Sequence, residues 1–163
     1  LKPGEIDDLE QEINSAWPIE KIITPDEVRG EHPDVSTAVT TTGWPLLDSS
    51  RGKAIFVLLG GGDLRADYHS KFPNLESATM FTMSAENTPE SAIFSNTNPI
   101  GNAEEISALV DAGHTVTSRA DDDEGGDEDT NETERRDKAM EIRAHSRSTD
   151  DSNQVDSIEL GLA

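Results

Sequence analysis

Ala54-Ile55-Phe56-Val57-Leu58-Leu59 is the longest strongly apolar run in the chain, and Gly60-Gly61-Gly62 stops it. A strand with one wet face alternates apolar and polar residues, whereas a continuous run bounded by turn residues reads as a strand buried on both faces. Residues 53–59 are assigned to such a strand, which favours a parallel sheet. Spanning a bilayer takes about 20 apolar residues, so this run is too short, and the chain reads as soluble.

Further segments support an α/β class. Residues 5–16 place Ile6, Leu9 and Ile13 at helical spacing with acids on the other face, ended by Trp17-Pro18. Thr24-Pro25-Asp26-Glu27 has the form of a capping box opening a short turn to Gly30, and Asp34 can cap a second short helix through Val39, ended near Gly43. Residues 78–83 and 91–95 are short strand candidates. Asn102 caps a helix carrying Ile106, Leu109 and Val110, closed by Gly113, and residues 114–118 return to strand. Strand, helix and strand with short joints make a βαβ unit. Residues 131–143 have helix-forming composition, with Ala139, Met140 and Ile142 as apolar anchors.

The core is thin. Leu, Ile, Val and Phe make up about 20% of the chain, at the border where chains stop burying enough apolar surface to fold alone. The formal net charge is −21, from 34 acidic and 13 basic residues, so the surface repels phosphate backbones and nucleic acid is excluded as a partner. Such an acidic, lysine-poor surface suits a high-salt or cation-rich setting. Without cysteine there is no disulfide framework and no thiolate metal site. From Asp121 to Asp129 the chain is almost wholly acidic and must be a solvated loop, and residues 151–163 are expected to be a disordered tail.

Several stretches, in order, carry a family likeness. They are residues 23–30 (Ile-Thr-Pro-Asp-Glu-Val-Arg-Gly), Gly43-Trp44-Pro45, residues 51–58, Ala78-Thr79-Met80-Phe81, Asn98-Pro99-Ile100, Thr117-Ser118-Arg119-Ala120-Asp121, Arg135-Arg136-Asp137-Lys138-Ala139 and Ser148-Thr149-Asp150. The colinear set resembles the C-terminal part of the calcium-dependent phosphoinositide phospholipase C family, relatives of glycerophosphodiester phosphodiesterases. The resemblance implies a TIM-type (β/α) barrel with mainly parallel strands and the active site at the strand ends. It implies cleavage of a phosphodiester lipid or its headgroup, with Ca2+ as cofactor. A closed barrel typically takes about 250 residues, and this chain has 163. The expectation is therefore a partial barrel, residues 1–150, lacking its N-terminal half and the catalytic histidines and metal ligands that half carries in the family. The chain opens on Leu1-Lys2-Pro3-Gly4, with neither an initiator Met nor a signal-peptide pattern, so it is expected to begin inside a longer protein. The missing half would be a partner, and this chain alone would be inactive. None of His32, His69, His114 and His145 lies in a motif matching the catalytic pair.

Departures from the family pattern fall late in the chain. Ile142-Arg143 replaces a small pair, Arg147 stands where the last strand has an apolar residue, and Thr149-Asp150-Asp151 replaces Thr-Asp-Tyr. A charge in a buried strand is costly, so the last strand is expected to fail, leaving stable structure concentrated in residues 53–118.

Candidate site residues follow. Arg119, at a strand end, can grip a phosphate bidentately or pair with the acidic loop beside it. Asn96 and Asn98 sit on a rim loop, where turn formation before Pro99 also accounts for them. Asp121 and Asp123 are candidate metal ligands or simply part of a solvated face. Asp121, Asp123, Gly126, Asp129 and Glu132 partly fit the spacing of a twelve-residue calcium loop, but Gly125 and Glu128 break the pattern and a strand precedes it. Gly60-Gly61-Gly62-Asp63 lacks the spacing and the Lys-Ser/Thr of a P-loop and reads as a flexible turn. Trp17, Trp44 and Phe56 read as core or interface anchors. A non-catalytic acidic protein that binds cations or a basic partner is the rival function.

Overall fold

The computed structural model describes residues 5–96, 98–119 and 131–148. The chain divides into two units, Leu1–Phe94 with Ala112–His114 and Ser95–Asp111 with Thr115–Ala163. The acidic loop, Asp121, Asp123 and the tail beyond Asp151 lie outside the described residues.

In the first unit the elements run α1 (Ile6–Ala16), a 3₁₀ turn (Ile19–Lys21), α2 (Pro25–Arg29), α3 (Val35–Thr41), α4 (Leu47–Ser50), β1 (Val57–Leu58), α5 (Gly62–Lys71), a second 3₁₀ turn (Pro73–Leu75) and β2 (Phe81–Thr82). Strand β3 (Ile93–Ser95) leads out of this unit. Pairing is parallel and follows chain order: Ile22 with Ala54, Val57 with Phe81, Leu58 with Thr82, and Met83 with Ile93. No closed barrel forms among the described residues; the fold is a mixture of helices and short parallel strands.

Alternation along the paired strands sorts the side chains into two cores. Val57 and Phe81, opposite each other, join Ile23, Val28, Val35, Val39, Ala92 and Ile93 on one face. On the other, Leu58 joins Ile6, Tyr68, Leu75, Ala78 and Met80, with Phe56 and Leu64 packed against them. The strand expected to be buried on both faces is only partly so, because Ile55 is 42% and Leu59 71% exposed. Residues 78–84 are almost continuously buried, yet only two of them form strand, since β1 offers just two ladder partners.

Helix starts follow their caps. Thr24 accepts a hydrogen bond from the Glu27 N–H at 3.2 Å and Asp34 from the Thr37 N–H at 2.7 Å. The Glu27 carboxylate turns to Lys53, 2.6 Å away. Helix α3 runs past Val39 to Thr41 and stops at Gly43, whose φ of +85° only glycine adopts freely. Gly113 is required more strictly still: at φ +98° a Cβ there would lie 2.3 Å from the Val39 carbonyl oxygen. That approach lets Trp44 donate its Nε1–H to the Gly113 carbonyl at 3.0 Å while its ring meets Phe81.

Helix α5 corrects the sequence expectation of a simple turn at Gly60-Gly61-Gly62, since Gly62 is its first residue at φ +57°. Its polar composition conceals it, because Leu64 and Tyr68 are its only apolar residues on the inward stripe. Helix α1 carries a second correction. Ile6, Glu10 and Ile13 share a face, so Glu10 is buried among the apolar side chains instead of on the acidic side. The buried carboxylate is satisfied by the Tyr68 hydroxyl at 2.5 Å and by the Thr79 N–H at 3.3 Å. Burial, and then the hydrogen bond and charge of Glu10, hold the Tyr68 phenol far above its ordinary pKa.

The second unit continues with α6 (Ala103–Asp111), β4 (Thr115–Arg119), α7 (Asn131–Glu141) and β5 (Ser146–Ser148), in a sheet ordered β3-β4-β5. Both α6 and α7 pack against β4, and Ile106, Leu109, Val116, Ala139, Ile142 and Ala144 are buried. Met140 is 51% exposed, contrary to its expected anchoring role, because it lies about 100° round the helix from Ala139. The last strand does form, contrary to expectation: Thr117, Ser118 and Arg119 pair in parallel with Ser146, Arg147 and Ser148. Strand pairing is made by peptide groups, which Arg147 supplies as any residue does, and among the described residues β5 is the outer strand of its sheet.

Tyr68→Phe removes a donor to the buried Glu10 carboxylate and an acceptor from the Met80 N–H, 3.1 Å away. Urea denaturation is expected to show a loss of about 2–3 kcal/mol.

Candidate functional site

Strand β4 sets the geometry of the expected rim. Val116 and Ser118 are buried, whereas Thr115, Thr117 and Arg119 are half-buried on the opposite face. The positions opposite Thr117 and Arg119 on β5 are Ser146 and Ser148. Arg119 thus ends the strand on the same face as Thr115 and Thr117. Its side chain is not without a partner, so a ligand there would compete with an existing interaction.

The loop after β3 reaches the same stretch, because the Asn96 N–H donates to the Thr117 carbonyl at 3.0 Å. Asn96 Oδ1 accepts from the Asn102 side-chain amide at 2.8 Å and from the Asn98 N–H at 3.3 Å. Asn98 Oδ1 accepts from the Gly101 N–H at 2.9 Å, and the Asn98 carbonyl accepts from the Asn102 N–H at 3.0 Å. The structure therefore brings the Asn96–Asn98 loop beside the end of β4, with the Asn98 oxygen engaged in shaping the turn. Asp121 and Asp123 lie outside the described residues.

A cleft of about 490 Å³ in the second unit is lined by Ile100, Glu134, Asp137, Lys138 and Glu141. Neither Arg119 nor Asn98 lines it. Its carboxylates outnumber its lysine, which is paired with Glu141 at 3.0 Å, so it repels a phosphodiester. Among the described residues no group of three or more His, Asp or Glu side chains could hold a metal ion.

Three of the four histidines are hydrogen-bonded through a ring nitrogen, and His114 is held by packing, its buried Nδ1 without a hydrogen-bond partner among the described residues. His32 Nε2 meets Thr42 Oγ1 at 2.7 Å on the surface. His114 is buried edge-on to Phe94, and burial lowers its pKa against the opposing pull of Glu86. His145 accepts the Val116 N–H on Nδ1 at 3.3 Å, with its pKa lowered by burial and by Arg143.

His69 belongs to a polar chain that sequence reasoning missed. Its Nε2 lies 2.9 Å from Thr82 Oγ1, which lies 2.7 Å from Ser84 Oγ, at the end of β2. Arg65, one turn earlier on α5, donates to the Met83 carbonyl. Burial lowers the His69 pKa; Glu90 opposes this and Arg65 adds to it. The available signal was the spacing of Leu64, Arg65, Tyr68 and His69 together with polar Thr82 and Ser84 on one side of a strand. The chain ends on two hydroxyls, and among the described residues no other histidine joins it.

A family model described as phosphoinositide phospholipase C, Ca2+-dependent, matches residues 2–159. No curated protein and no solved structure matches the chain significantly.

Asn98→Ala, which removes the Gly101 acceptor, is expected to cost about 1 kcal/mol in chemical denaturation, and Asn98→Asp much less. Because burial lowers the pKa of His69, His114 and His145, unfolding takes up protons at acid pH. Their contribution is fully present above about pH 6.5, the unfolded-state value, and is lost as pH falls through their lower folded values. The urea midpoint should fall between about pH 7 and pH 5.

Proposed function

The chain belongs to the Ca2+-dependent phosphoinositide phospholipase C family, and from that premise we propose that it is part of a phosphoric diester hydrolase acting on a phosphoinositide or glycerophosphodiester. The family match over residues 2–159 carries the proposal. Strand pairing supports it: the parallel neighbours of the first unit follow chain order, and β4 and β5 do the same in the second, as successive strands of a barrel wall do. Residues 1–150 are proposed to be the C-terminal part of such a barrel.

In this proposal Arg119 binds the substrate phosphate and Asn98 shapes the rim loop beside it. A guanidinium at a strand end offers two parallel N–H donors to the non-bridging oxygens, and that pairing strengthens as charge builds on the phosphorus centre. Histidine acid–base groups would come from outside this chain, since none of His32, His69, His114 and His145 lies in a motif resembling the family's catalytic pair. Asp121 and Asp123 remain proposed metal ligands. The helices of the described residues include none long and apolar enough to cross a membrane.

The test is Ca2+-dependent turnover of phosphatidylinositol and of glycerophosphodiesters by the product of the full reading frame. Arg119→Ala is expected to lower kcat/KM about a hundred-fold there, while this chain alone stays at background. Turnover by this chain alone would overturn the placement of the acid–base groups outside it. Unchanged kcat/KM in the Arg119 variant would overturn the phosphate role. Absence of turnover in both proteins, with calorimetric calcium binding lost in Asp121→Asn and Asp123→Asn, would favour a cation-binding protein instead.

A further inference from the structure

Strand β5 is joined to β4 at its start by both hydrogen-bonding groups of one residue. The His145 backbone N–H donates to the Val116 carbonyl at 2.9 Å, and His145 Nδ1 accepts the Val116 N–H at 3.3 Å. The chain before His145 turns back to α7: Arg143 has φ +59°, its N–H donates to the Met140 carbonyl, and the Ala144 N–H donates to the Ala139 carbonyl. A ring nitrogen, in place of a peptide carbonyl, therefore meets the Val116 N–H. Val116 is fully buried while β5 is in place, so its N–H depends on that acceptor.

We propose that His145 is a pH-operated clip on β5: protonation of its imidazole releases Ser146–Ser148 from β4. A proton on Nδ1 turns the acceptor into a donor facing another donor and places a cation beside buried backbone. Arg143 is the charge acting on the ring, and it is ion-paired with Asp111 at the end of α6. On β4 the ring meets the Val116 N–H, whose neighbours Thr115 and Thr117 are uncharged, and on α7 Glu141 is paired with Lys138. Among the described residues burial and then Arg143 act on this ring, and both lower its pKa. Release would bare the edge of β4 opposite Arg119, whose register partner is Ser148. The clip rests on hydrogen bonding alone and stands whether or not Arg119 binds phosphate.

Amide hydrogen exchange on the whole chain, corrected for intrinsic rates and compared at about pH 7.5 and about pH 5.5, tests the clip. Protection of the Val116 and β5 amides should fall by up to about ten-fold between those two pH values, the limit that a released imidazole of ordinary pKa allows. Phe81, in the other unit, serves as the reference for global loss. His145→Asn retains an oxygen near the Nδ1 position that does not titrate, and should remove the excess loss at β5. Equal pH dependence in the two proteins, or a β5 fully protected at the lower pH, would overturn the proposal. Should the variant not fold, nitrogen shifts of the wild-type ring decide. The clip requires the Nε2–H tautomer at neutral pH and a Val116 amide that titrates with the ring's own midpoint, and either failure sinks it.

Discussion

The register of β1 on β2 is the constraint from which the first unit follows. Setting Val57 opposite Phe81 and Leu58 opposite Thr82 commits alternate residues to opposite faces, and a slip of one residue would exchange the contents of both cores. Each face then acquires its own helices. The core around Phe81 draws on α2, α3 and Trp44, and the core around Leu58 on α1 and α5. Two ladder pairs are a slender basis for this division, so the isolated bridges at Ile22–Ala54 and Met83–Ile93 extend it.

A chain with so little apolar content leans on a few buried polar groups that hydrogen-bond one another. Glu10 and Tyr68 fix α1 to α5 and to the start of β2, and Thr82 links His69 to Ser84. A buried polar group contributes specificity only while its partners stay in the right protonation state. That ties the fold to pH through its histidines, and the same dependence recurs in the second unit at His145.

Caps and continuous apolar segments were legible in the sequence because they act over three or four residues. Thr24 and Asp34 cap as their side chains predict, and the parallel class follows from the run at 54–59. Exposure of Ile55 and Leu59 was not legible, because an apolar run records composition and not which neighbours arrive to cover it. Helix α5 escaped notice since only Tyr68 of its ten residues is fully buried. The buried Glu10 was hidden by the assumption that acids face water, although its spacing from Ile6 and Ile13 placed it on the apolar stripe. The pairing of β5 was not legible past the charge of Arg147, because side-chain type does not record that backbone groups alone make the ladder with β4. At the site, Arg119 was placed correctly at a strand end, and Asn98 on a loop beside it, but the hydrogen bonds that occupy Asn98 depend on Asn96, Gly101 and Asn102 folding back together.

The central functional claim is that the end of β4 and the loop after β3 form a phosphate-binding rim. Its most direct measurement is an amide chemical-shift titration of the protein with glycerophosphoinositol. Shifts concentrated at Asn96, Asn98, Thr117 and Arg119, and abolished by Arg119→Ala, are predicted. Shifts that avoid these residues, or that persist unchanged in the variant, would contradict it.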